Sequence, residues 1–85
     1  MVRAFRIEPA MIKRGLKGND LVLYAFLFNE TKGGREKYYG NHMDMAGVLN
    51  TTIPTVYNVL RNLEGNGLIR RTGSKESGIE VVKID

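Results

Sequence analysis

The longest unbroken apolar run in the chain, Leu21-Val22-Leu23-Tyr24-Ala25-Phe26-Leu27-Phe28, leaves no polar side for water in any secondary structure. Its eight residues cannot cross a bilayer, which takes about 20. The run must therefore be covered by protein on most of its faces. Periodicity does not separate a buried strand from a buried helix when every position is apolar. Composition favours the helix: Val22 is the only β-branched residue, and Asn19 is a good N-cap. These features predict a helix over residues 20–31 that serves as the central beam of the domain, with packing partners on both sides.

The remaining 77 positions supply those partners within one domain, residues 1–85, because a chain of 85 residues is too short to divide. With 42% apolar and 26% charged residues it reads as a soluble globular domain. Cysteine is absent, which excludes disulfide scaffolds, zinc-thiolate sites and thiol nucleophiles. A single histidine, His42, rules out a multi-histidine metal site, and no cofactor is expected. The start, Met1 to Arg6, has no apolar signal core, so the expected location is the cytoplasm, with no membrane partner. Thirteen Lys/Arg against nine Asp/Glu give a net charge of +4, which leans toward an anionic partner such as nucleic acid. The excess is uneven. Residues 1–40 carry eight basic and four acidic side chains, whereas residues 41–85 carry five of each.

Around the central beam, Pro9 suits the first turn of a short helix over residues 9–14. The stretch 32–37, rich in glycine and charge, marks a loop, and its Gly33-Gly34 lacks the Gly-Lys-Ser/Thr of a phosphate loop. Residues 37–40 suit a very short strand, with Tyr38 and Tyr39 read as core and strand residues. Asn41 caps a helix over residues 43–49 that stops at Asn50, a residue tolerant of left-handed backbone. Thr52 is a natural N-cap, and Pro54 falls in the first turn of the next helix. Over residues 53–64, Val56, Val59, Leu60 and Leu63 form an amphipathic stripe, and Gly65-Asn66-Gly67 ends it. A hairpin follows, with strands over 68–72 and 79–84 and a turn over 73–78. Its register is open between strict alternation and a bulge near Val81-Val82 that turns Ile79, Val82 and Ile84 inward. Met11, Met43 and Met45 read as core filling.

Two helices joined by a tight turn, the second amphipathic and followed directly by a hairpin, describe a mainly helical α+β fold: a winged helix-turn-helix with a C-terminal β-hairpin wing. Ala46 suits the close crossing of the two helices. The second helix directs Thr52, Ile53, Pro54, Tyr57, Asn58, Arg61 and Asn62 outward. Such a helix fits the DNA major groove. Asn58 pairs bidentately with adenine, Arg61 with guanine or phosphate, and Ile53 suits a thymine methyl. Thr52 and Thr55 offer hydroxyls to phosphates beside the free N–H groups of the helix start. Arg70, Arg71 and Lys75 lie on the wing, within reach of the flanking backbone. Tyr57 alternatively packs beneath the wing. Lys13, Arg14 and Lys17 are either a solvated face or additional phosphate contacts, and His42 is a surface or capping residue.

The segments 44–49, 52–57 and 60–69, the last with its Leu-x-x-Leu-Glu-x-x-Gly-Leu-Ile ending, resemble the winged-helix pattern of bacterial DNA-binding domains. Upstream, Phe5 to Pro9 and Leu16 to Phe26 resemble the N-terminal domains of phage and plasmid replication initiators and replisome organisers, the DnaD-like group. The resemblance spans nearly the whole chain. It implies a double-stranded DNA-binding module, usually fused to a C-terminal region that assembles replication proteins, with those proteins or a second copy of the chain as further partners. A transcriptional regulator of the same fold is the alternative within that class; such regulators commonly dimerise through long flanking helices, and none is expected before Asp85. A protein-protein interaction module is a third reading, favoured by the neutral second half and by Ile53, Pro54 and Tyr57. An enzyme is not expected, since no nucleophile-base pair, carboxylate dyad or metal set is present.

Overall fold

A computed structural model of the chain describes residues 7–71 and 78–84. Among these residues four helices, α1 (Pro9–Lys13), α2 (Gly18–Glu30), α3 (His42–Leu49) and α4 (Ile53–Gly65), precede two strands, β1 (Ile69–Arg71) and β2 (Ile79–Val81). The fold is α+β and mainly helical, with an antiparallel hairpin at its C-terminal end.

The apolar run does form a helix. Leu23, Tyr24, Ala25, Phe26 and Leu27 are buried in succession, more than one full turn of α2. Burial all the way round requires neighbours all the way round, and α2 packs against α1, α3, α4 and β2. The helix begins earlier than expected. Lys17, extended and without a side-chain cap bond, takes the capping position, and Asn19 lies exposed inside the first turn. Tyr24 closes the beam onto the hairpin: its hydroxyl donates to the Val82 carbonyl at 2.6 Å. Burial, then the nearby Glu8 carboxylate, push the Tyr24 phenol up to about 12, against the opposing effect of a backbone hydrogen bond at Ile84.

All four helices end in the same way. Each makes a pair of reversed bonds of the Schellman type: Leu16 N–H to Met11 O with Gly15 to Ile12, and Gly33 to Phe28 with Lys32 to Asn29. The later helices repeat it, with Thr51 to Ala46 and Asn50 to Gly47, then Leu68 to Leu63 and Gly67 to Glu64. The left-handed residue at each end is Gly15, Lys32, Asn50 or Gly67. In α1 and α4 the motif also brings a buried pair together, Met11 with Leu16 and Leu63 with Leu68. Asn50 thus performs the turn expected of it, at φ 53 and ψ 51.

At the start of α3 the Asn41 side chain accepts from the Asp44 N–H at 2.8 Å, and the helix opens at His42, one residue earlier than expected. Met45 and Ala46 face the core. Met43 does not: two positions from Met45 it lies roughly 200° around the helix and is 70% exposed, so it is surface and not core filling. Met11 and Met45 are buried as expected. Val56, Val59, Leu60 and Leu63 of α4 are all buried, each burial contributing about 1.5–3 kcal/mol.

The hairpin settles into strict alternation. Ile69 pairs with Val81, Arg70 with Glu80 and Arg71 with Ile79. Ile79 and Val81 are buried and Glu80 exposed, so no bulge turns Val82 inward. Val82 is half-buried, and its N–H continues the ladder to Leu68 O at 2.9 Å. The expected turn over 73–78 falls, up to residue 77, outside the described residues. The short strand expected at 37–40 contracts to one antiparallel bridge, Tyr38 with Ile79, bonded both ways at 2.9 Å. Tyr38 is buried edge-on against Phe26, with ring centroids 5.6 Å apart. Tyr39, expected in the core with it, alternates to the outside and is 65% exposed. A side chain at Gly40 would collide with the Tyr38 hydroxyl, which explains the glycine.

Candidate nucleic-acid interface

At about 100° per residue, the buried stripe Val56, Val59, Leu60 and Leu63 puts Pro54, Asn58 and Arg61 at the centre of the opposite face of α4. All three are exposed, as are Thr52 and Ile53, while Thr55 is half-buried. The amphipathic pattern thus delivers most of the expected surface. The side chains of Asn58 and Arg61 make no hydrogen bond or ion pair among the described residues.

Local chemistry alters several roles. Thr52 sits at the capping position of α4, but its hydroxyl lies 3.0 Å from the Thr55 hydroxyl and does not cap a backbone N–H. The two hydroxyls form one exposed pair, beside first-turn amide groups that no side chain covers. Tyr57 is 44% exposed. It stacks on His42 of α3 with ring centroids 4.4 Å apart and planes 26° apart. His42 is thereby a half-buried packing residue at the junction of the two helices. Neither ring in the sequence announces this pairing, because the two lie on different helices fifteen positions apart.

Of the two described hairpin arginines, one is engaged within the fold. Arg71 is drawn to α4, where its guanidinium meets the Glu64 carboxylate at 3.2 Å. Arg70 is exposed, with Glu80 opposite it across the hairpin. Lys75 lies outside the described residues.

Of the upstream cations, Lys13 and Lys17 are exposed. Arg14 is exposed too, but its guanidinium donates to the Asn66 carbonyl at 2.9 Å, at the end of α4. The sequence offers it a solvated face or a phosphate contact, because nothing local signals a partner 52 residues away. Among the described residues no group of three His, Asp or Glu side chains is placed to hold a metal ion, and no helix is long and apolar enough to cross a membrane. Comparison with protein families, with curated proteins and with solved structures finds no match to this chain.

Proposed function

We propose that the chain is a double-stranded DNA-binding module of the winged-helix type, with α4 entering the major groove and the hairpin acting as the wing. The observation that carries this reading is the uncovered face of α4. It follows a short helix and a left-handed turn at Asn50, leads directly into an antiparallel hairpin, and presents exposed Asn58 and Arg61 with no partner among the described residues. A helix of this diameter fits the major groove, where an asparagine amide pairs with adenine and an arginine with guanine. Ile53 and Pro54 offer apolar contact to thymine methyls, and the Thr52–Thr55 hydroxyl pair with the open amide groups suits a phosphate. Among the described residues, Arg70 is the exposed wing cation suited to the flanking backbone.

The resemblance to phage and plasmid replication initiators and replisome organisers favours a role in replication over transcriptional regulation. The reading is tested by fluorescence anisotropy of a labelled mixed-sequence duplex at low and moderate salt. Phosphate contact releases counterions, so binding should weaken several-fold as salt rises. Absence of binding at low salt overturns it.

One observation favours a protein-protein interaction module instead. Met43 is 70% exposed on α3 while Tyr57 and Ile53 are partly exposed on α4, and Arg71 is already neutralised by Glu64. Under that reading duplex binding is absent, and a Tyr57→Ala variant loses a protein partner while keeping its fold.

A further inference from the structure

The outer face of α4 consists of two neighbouring rows at i, i+4 spacing: Ile53, Tyr57 and Arg61 in one, Pro54, Asn58 and Asn62 in the other. The rows differ in chemistry. The first ends in the guanidinium of Arg61. The second ends in two carboxamides, both exposed and both without a side-chain hydrogen bond among the described residues. The Asn62 main-chain carbonyl accepts from the Asn66 side-chain amide at 2.8 Å, and the residue itself is exposed. By contrast, the other polar groups near this surface have partners: Thr52 with Thr55, Arg71 with Glu64 and Arg14 with Asn66.

We infer that Asn62 joins Asn58 as a second adenine-reading residue, and that the preferred duplex carries two adenines two base steps apart, beside a guanine read by Arg61. This rests on the DNA-binding reading above. The chemistry follows from the amide: its oxygen accepts from adenine N6–H and its NH2 donates to N7, a pair that no other base presents in the major groove. The spacing follows from helix geometry. Four residues rise about 6 Å, and two base steps span about 6.8 Å along the duplex, so one carboxamide row matches alternate base pairs. Ile53 and Pro54, at the N-terminal ends of the rows, favour a thymine methyl and reinforce an A·T-rich site.

The experiment is selection of bound duplexes from a randomised pool by the full chain, repeated with Asn58→Ala, Asn62→Ala and Arg61→Ala. All three sites are exposed, and circular dichroism checks that each variant is folded. The wild-type chain is expected to enrich two adenines separated by one base pair, with a neighbouring guanine. Each asparagine variant should lose discrimination at one adenine by roughly 5- to 100-fold. Replacing that adenine with 7-deazaadenine, which lacks the N7 acceptor, should weaken the wild-type chain and leave the matching variant unaffected. Adenine preferences that survive in both asparagine variants overturn the inference, as does an enriched site without paired adenines. Salt-sensitive binding with no sequence preference overturns it while the DNA-binding reading stands. No salt-sensitive duplex binding removes both.

Discussion

Arg14, just past α1, donates through its guanidinium to the main-chain carbonyl of Asn66, the residue that follows α4. The carbonyl carries the partial negative charge of a helix C-terminus, so the contact is a cation placed where the helix favours one. It ties the first helix to the end of the last. Because the pair is exposed, it should contribute only about 0.5–1 kcal/mol. Arg14→Ala is expected to lower unfolding free energy by that amount in urea titrations, with a smaller difference at high salt. An unchanged midpoint at low salt would show that the contact contributes nothing.

Tyr24 ties the beam to the hairpin, and its proton is held tightly. Its phenol titrates near 10 when the chain is unfolded and is pushed up to about 12 in the fold, so the folded state keeps the proton longer. The associated stability is complete below pH 10 and is lost as pH rises through 12, on the order of 2 kcal/mol. Thermal melts across pH 9–12 should show this fall. Tyr24→Phe should flatten it, and should also destabilise at neutral pH by about 1 kcal/mol because the Val82 carbonyl loses its donor.

Lys32 is the one left-handed helix end occupied by neither glycine nor asparagine, at φ 53. A lysine there bears a steric cost that glycine avoids. Its compensation is a single exposed pair with Glu36 at 3.4 Å, which contributes little. Lys32→Gly should therefore stabilise by about 0.5–1 kcal/mol, the relieved strain being partly offset by the greater freedom of glycine in the unfolded chain. Chemical denaturation decides the sign. A lower midpoint would mean that the Glu36 pair outweighs the backbone strain.

Glu64 holds Arg71 against α4 and adds a negative charge beside the proposed DNA face. On that proposal, Glu64→Gln should tighten duplex binding several-fold and steepen its salt dependence by releasing one phosphate contact. Arg61→Ala should weaken specific binding by about 1–3 kcal/mol while leaving the melting temperature unchanged, because Arg61 is exposed and has no partner among the described residues. Anisotropy titrations of the three proteins side by side measure both effects. Looser binding by Glu64→Gln would instead assign the ion pair a positioning role.

What the sequence made legible was whatever local physics decides. Leu21 to Phe28 had to be buried, Asn41 and Asn50 suit helix ends through their own side chain and backbone, and the 3.6-residue rhythm of Val56 to Leu63 dictates which side of α4 is left outward. The misses have two causes, the phase of short elements and contacts between distant segments. Met43 and Tyr39 are apolar enough for a core, yet the phase of their own helix and strand, set by Met45 and Tyr38, carries them outside. The Tyr57–His42 stack, the Arg71–Glu64 pair and the Arg14–Asn66 bond each need two elements already docked. Arg71 therefore read as a free cation, since a string of residues shows the arginine and hides the Glu64 carboxylate that the fold brings beside it.

The ends of the helices differ in how they are held. Among the described residues every C-terminal end is fastened by two backbone bonds, whereas only α3 has a side chain on its opening amides. Opening of a helix by thermal motion therefore begins at its front, and amide hydrogens there exchange with solvent before those behind them. In α4 the front is the turn that carries Thr52 to Thr55, so on the DNA-binding proposal the turn offered to phosphate is also the part of the helix that opens first. An anion settling on those amides would supply the cap that the sequence omits, so that binding and completion of the helix become one event.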